Sequence, residues 1–167
     1  IRKEKSVFKI LDNQIISEEY TFSREKKDKY ETYLTKISRD SSKKSSTLVD
    51  KNNQKETISH PYIENVQDRL SVQLDYKNKL KVGQYAQVYT VLDKGRVREY
   101  AFSVESLDTI DTIFGETKCI VVKRVIKDNK RSTQTWYAMD KGFIPVMIKQ
   151  YRKEKLQFTA RLYNVND

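Results

Sequence analysis

Four glycines, two prolines, one cysteine and one histidine are all that this chain of 167 residues holds of those types. Each scarcity excludes something. Cys119 stands alone, so no intrachain disulfide is possible, and with a single histidine the chain cannot assemble a metal centre of the usual Cys and His kind. A Ser-His-Asp arrangement would have to use His60, which precedes Pro61 in a loop-like stretch without a nucleophile-elbow sequence. The phosphate-loop and dinucleotide glycine patterns are both absent. No apolar run approaches the roughly 20 residues that a membrane-spanning helix needs. No cofactor is expected and the chain reads as non-enzymatic. Asp108 and Asp111 form a carboxylate pair of the kind used in acid–base work, but their turn-rich surroundings read as a solvated loop.

The glycines that are present act as punctuation. Gly95, Gly115 and Gly142 fall between apolar β-like runs, and Gly83 precedes another. With 37% hydrophobic and 34% charged residues, apolar material is expected on one face of antiparallel sheets rather than wrapped around a parallel one. The length suits one domain with a core that needs no disulfide or metal. Cys119, beside Ile120, Val121 and Val122, reads as a small buried hydrophobe.

The net charge is +10, divided as +4 up to His60 and +6 beyond it. An excess spread in this way is not a basic tail. Clusters such as Arg24 to Lys29 and Arg152 to Lys155 are interrupted by acids and read as solvated turns. The alternative is a basic nucleic-acid-binding module in which the 11 tyrosines supply stacking surfaces, although no nucleic-acid motif accompanies them.

Along the chain, Ser6 to Leu11, Ile15 to Ser23 and Tyr30 to Arg39 read as an antiparallel meander. A serine- and lysine-rich loop from Asp40 to Ser46 follows, expected to be the most mobile region. Short strands at Thr47 to Val49 and Glu56 to Ser59 flank Lys51-Asn52-Asn53, so this first section spans about 6–59. The period then changes. Ile63, Val66, Leu70 and Leu74 recur at three- and four-residue steps, which predicts one amphipathic helix over about 65–79, with Gln67, Asp68, Gln73 and Lys77 toward water. Leu70→Asp should therefore unfold the domain. Antiparallel strands occupy 84–165: Gln84 to Leu92, Arg96 to Ser106, Glu116 to Ile126, Ser132 to Ala138, Phe143 to Lys149 and Leu156 to Val165. In the last, Leu156, Phe158, Ala160 and Leu162 share one face.

The segment Ser132 to Lys149 carries the most information. Its two halves combine Thr, Trp, Tyr, Ile, Val and Met, which suit a pleated surface, and Lys141-Gly142 between them supplies the reversal. Pro145 donates no hydrogen bond, so its strand is expected at a sheet edge, or Pro145 near a strand start or bulge. An exposed edge there would allow strand addition by a partner.

Four segments in order, Asp68 to Leu74, Asp93-Lys94-Gly95, Asp111 to Gly115 and Trp136 to Val146, resemble the domain-of-unknown-function 3108 family of exported bacterial proteins. The resemblance covers about Val66 to Asn164, with the earlier strands fitting in outline. It implies a periplasmic or envelope-facing protein, mainly β, with a strongly curved antiparallel sheet or an incomplete barrel around a helix, and it brings no catalytic residues. The start at Ile1 rather than Met fits an expectation that a signal sequence has been removed before it. The expected function is a binding or scaffold module whose partner is an envelope lipid, peptidoglycan or a periplasmic protein. Its candidate surface is aromatic: Tyr85, Tyr89, Tyr100, Phe102, Trp136 and Tyr137.

Overall fold

The computed structural model describes residues 1–27, 29–38, 40, 47–52 and 55–165. The loop expected at Asp40 to Ser46 lies outside these residues from 41 onward, as does Asn53. Alternating β-branched and aromatic residues build strands β1 (Arg2–Leu11), β2 (Gln14–Lys26), β3 (Lys29–Ile37), β4 (Thr47–Lys51) and β5 (Glu56–His60), which pair in sequential order as one antiparallel sheet. After them come β6 (Gln67–Asp68), helix α1 (Ser71–Lys81), β7 (Gln87–Asp93), β8 (Arg96–Thr112), β9 (Gly115–Ile126), β10 (Arg131–Ala138), β11 (Ile144–Arg152) and β12 (Lys155–Arg161). Their sheet runs β12-β11-β10-β9-β8-β7-β6, with β6 and β7 parallel. The described residues are mainly β with one α-helix and a 3-10 turn at Met139–Lys141, and among them the sheets do not close into a barrel. Bulges at Val7/Phe8, Val104/Ser106, Trp136/Tyr137 and Gln150/Tyr151 bend the strands. Two compact units divide the residues: Ile1–Asp75 with Tyr89–Arg98, and Tyr76–Val88 with Glu99–Asp167.

The helix lies later in the sequence than its pattern predicts. Asn65 has φ 54°, and Gln67 and Asp68 pair with Val91 and Leu92 as a short strand. Asp68 Oδ1 accepts from the backbone N–H groups of Leu70 and Ser71, while Ser71 Oγ accepts from Asp68 N–H at 2.9 Å. That reciprocal cap starts the helix at Ser71. At the other end Gly83, with φ 75°, supplies the left-handed residue of a Schellman turn: Gln84 N–H donates to Lys79 O and Gly83 N–H to Leu80 O. The buried stripe is accordingly Val72, Tyr76 and Leu80, whereas Leu70 is 38% exposed. Gln67 and Asp68, expected in water, are buried.

Three further expectations are corrected. β8 does not end at Ser106 but pairs with β9 as far as Thr112 opposite Gly115, so Asp108 and Asp111 stand in a strand rather than a loop. β11 lies between β10 and β12 and is not an edge; Pro145 is accommodated because it sits second in its strand at a bulge, where Tyr137 faces Pro145 and Trp136 faces Met147. The β12 pairing covers Met147 to Arg152 of β11, so the edge expected along this strand is confined to its first residues. In β12 the bulge opposite Gln150/Tyr151 leaves Gln157 unpaired and turns Leu156 to the face opposite Phe158 and Ala160.

In the second unit both faces of β8–β10 are covered, which overturns the expectation of one-sided sheets. One face carries Cys119, Val121, Trp136, Ala138, Val146 and Met147, with Ile110 and Leu162 against them. The register puts Tyr100, Phe102, Ile120, Val122 and Tyr137 on the other, where the Tyr76 ring stacks on Phe102 at 4.3 Å. The first unit has its own cluster of Tyr20, Phe22 and Tyr33 with Ile58.

The β11–β12 turn gives a prediction. Arg152 pairs with Lys155, and the two residues between them, Lys153 and Glu154, have φ 48° and 63°. Such a two-residue reversal favours Asn-Gly, and left-handed backbone costs an ordinary side chain roughly 1 kcal/mol. Lys153→Asn with Glu154→Gly is expected to raise the unfolding free energy by about 1 kcal/mol, read as a higher urea midpoint at unchanged slope.

Candidate functional site

The most concentrated polar group lies in the first unit, around Asp68. The extra residue Glu18 at the β2 bulge re-phases the strand, because Val7 faces Glu19 while Phe8 faces Ser17. Ser17 therefore points the same way as Ser6, and both hydroxyls donate to Asp68 Oδ2. With the two cap N–H groups on Oδ1, the carboxylate has four donors and is fully buried. Asp75 is engaged similarly: Oδ1 accepts from Ile15 N–H at 3.2 Å and Oδ2 from Tyr89 OH at 2.8 Å. Gln67 donates to Ile15 O at 2.7 Å. Each contact joins β1, β2 or β7 to β6 or α1. The chemistry of this group is attachment of elements, since its carboxylate oxygens are occupied by donors of the fold.

A second network covers one face of β1–β3. Glu4 accepts from Tyr20 OH at 2.6 Å and faces Arg69 and Arg2, while Arg69 also reaches Asp93 at 3.3 Å. The Lys94 ammonium lies 4.3 Å from the Phe22 ring centre and pairs with Glu31. Burial pushes the Glu4 carboxyl upward, but the Tyr20 hydroxyl and the two arginines outweigh it and hold the group below the ordinary carboxylate range. Glu31 is likewise held low: burial raises it, and Tyr33 OH and Lys94 more than reverse that. A carboxyl with a depressed folded value contributes stability that is complete above its unfolded value, about 4.3, and lost as pH falls through the folded one. Tyr33, pushed up to about 12 by burial and then by Glu31, acts at the alkaline end. It contributes stability below the unfolded phenol value near 10 that is lost as pH rises through about 12. Acid titration is thus expected to destabilise the protein below about pH 4. Glu4→Gln should flatten that slope and lower stability at pH 7 by about 1 kcal/mol, both measurable by urea unfolding across pH.

The opposite face of β1–β3 is open. A groove of about 1010 Å³ runs over Arg2–Lys5 of β1, Thr21–Ser23 of β2 and Thr32–Leu34 of β3, with walls more carbon than heteroatom. Strand alternation sorts its side chains. Glu4, Phe22 and Tyr33 are cross-strand neighbours on the covered face; Lys3, Ser23 and Thr32 form one row toward the groove, and Lys5, Thr21 and Leu34 the next. None of these was singled out in the sequence, because Arg2 to Lys5 reads as solvated charge. The available signal was the alternation of Lys3 and Lys5 in phase with hydroxyl residues of the neighbouring strand.

Within the second unit, the aromatic residues expected to form a ligand surface do not share one face. Tyr100, Phe102 and Tyr137 share a buried face of the second unit, with the Arg124 guanidinium 5.1 Å from the Tyr100 ring centre. Trp136 is buried on the other face, where its indole N–H donates to Asp108 Oδ2 at 2.9 Å and the Lys149 ammonium lies 5.0 Å from its ring centre. Tyr85 is exposed and its carbonyl accepts from Tyr76 OH at 2.7 Å. Tyr89 belongs to the first unit and is held by Asp75. His60 lies 2.8 Å from Gly95 O through Nε2. Cys119 is fully buried, and burial, then the charges of Asp108 and Asp140, raises its thiol, as suits an unreactive hydrophobe.

The model of a family described as proteins of unknown function, DUF3108, matches residues 2–155. The chain belongs to that family. No curated protein and no solved structure matches it. The DUF3108 match reaches further toward the N-terminus than the resemblance suggested: it begins in β1 and takes in the groove strands, and it stops at the start of β12. Within it the four recognisable segments have structural work. Asp68 to Leu74 caps α1, Asp93-Lys94-Gly95 turns β7 into β8, Asp111 to Gly115 turns β8 into β9, and Trp136 to Val146 makes the bulged β10–β11 hairpin around Gly142 at φ 64°.

Proposed function

We propose that this DUF3108 protein is a non-enzymatic binding module facing the bacterial cell envelope, and that the groove over β1–β3 holds its ligand, an envelope lipid. The groove carries the reading: its volume suits an elongated small molecule, and its walls are mainly carbon with a few polar groups, the usual make-up of a ligand site. Supporting it, the carboxylates that acid–base chemistry would draw on are occupied, Asp68 and Asp75 by the fold and Asp108 by the Trp136 indole. The envelope-facing location rests on the resemblance carried by the four segments.

The test is extraction. Protein produced in a bacterial periplasm and purified without detergent is expected to release about one equivalent of lipid into organic solvent, and a Thr21→Trp variant, which fills the groove, should release much less. Wild-type protein that carries no lipid, or carries the same amount as the filled variant, would contradict the proposal.

A further inference from the structure

The groove has an uneven charge distribution that the lipid reading does not by itself require. Lys3 and Lys5 occupy alternate positions of edge strand β1, about 7 Å apart on one face. Their cross-strand neighbours are Ser23 and Thr21. Among the described residues neither ammonium has an ion pair, and neither hydroxyl has a hydrogen-bond partner. The contrast with the covered face is sharp, because there the basic groups Arg2, Arg69 and Lys94 are all paired with Glu4, Asp93 or Glu31. Glu4 borders the groove but turns its carboxylate to the covered face, and the acids on the lysines' own face, Glu19 and Glu25, stand one alternate position beyond Thr21 and Ser23 along β2.

Two free ammonium groups beside two free hydroxyls make a donor quartet at one margin of a carbon-walled groove. Donors of this type bind oxyanions through charge-assisted hydrogen bonds, while the walls favour hydrocarbon. We infer that the groove takes an amphiphile whose carboxylate or phosphate head sits among Lys3, Lys5, Thr21 and Ser23 and whose acyl chain runs past Leu34. The inference rests on the lipid-binding reading and narrows it to anionic lipids. Because both lysines are exposed, the contribution of the head is screened by salt and that of the chain is not.

The experiment measures binding of three probes that share a chain, dodecanoate, dodecyl phosphate and dodecanol, below micellar concentrations, with inorganic phosphate as a fourth. Wild-type protein is expected to bind both anions at least about tenfold more tightly than dodecanol, and the difference should shrink as salt rises. Lys3→Gln with Lys5→Gln should bring the anions to the dodecanol affinity and leave dodecanol unchanged; Thr21→Val with Ser23→Ala should fall between. These surface changes are not expected to alter the fold, which the unfolding midpoint checks. Equal affinities for all three chains in wild type would overturn the anionic head while sparing the groove. Displacement of dodecyl phosphate by equimolar inorganic phosphate would overturn the amphiphile in favour of a simple anion site. No binding of any chain would overturn the groove reading itself.

Discussion

Asp68→Ala is expected to lower the unfolding free energy by about 3–5 kcal/mol. The side chain is fully buried and accepts from Ser6 Oγ, Ser17 Oγ, Leu70 N–H and Ser71 N–H. Truncation leaves four donors without their acceptor at once, including two that start α1 and two that tie β1 and β2 to β6. Each buried donor left unpaired costs about 1–3 kcal/mol, and partial hydration of the space left behind reduces the sum. Ser17→Ala removes one donor and should cost about 1–2 kcal/mol. A urea titration of wild type and both variants checks this. If Asp68 were a reacting group poised for a substrate, its removal would leave stability unchanged or raised.

Tyr76→Ala is expected to cost about 3–5 kcal/mol, as removal of large buried aromatics does, whereas Leu70→Asp should change stability by less than about 0.5 kcal/mol. Tyr76 is buried, stacks on Phe102 and donates to Tyr85 O. Leu70 contributes its backbone N–H to the helix cap and leaves its side chain 38% exposed. An acid at Leu70 would also stand at the positive end of the helix dipole. The pair of variants discriminates between the two possible phases of the helix, because the stripe through Ile63, Val66, Leu70 and Leu74 demands the reverse order of effects.

That stripe shows where sequence reasoning fails in this chain. Apolar spacing placed a helix here, but it did not reveal that Asp68, with its side chain turned inward, is a cap rather than a surface residue. The interruption at Asn65 and the short β6 strand depend on pairing with Val91 and Leu92, more than twenty residues away. Pro145 was legible in part. Its missing donor allowed an edge, a strand start or a bulge, and the register at Tyr137 selected the last two together. The strand pattern itself was readable because each reversal has local chemistry, such as Asp12-Asn13 and Lys94-Gly95 at positive φ. Charged strand ends were not: Arg2 to Lys5 and Leu107 to Thr112 carry little apolar alternation, and they are strands because a neighbour's backbone pairs with them.

The candidate site fell into the same gap. Aromatic residues are conspicuous in a sequence, and four of the six marked as a ligand surface, Tyr100, Phe102, Trp136 and Tyr137, are used to fill the core. The groove instead draws on Lys3, Lys5, Thr21, Ser23, Thr32 and Leu34, an assortment that acquires meaning only once three strands are set in register.

Backbone amide shifts recorded while a long-chain lipid is titrated into the whole protein locate the ligand residue by residue. Saturating shifts are expected at Lys3, Lys5, Thr21, Ser23, Thr32 and Leu34, with the Trp136 indole and the amides around Asp68 unmoved. Shifts centred on Asp68 or on Trp136 and Asp108, or no shifts at all, would contradict the groove reading.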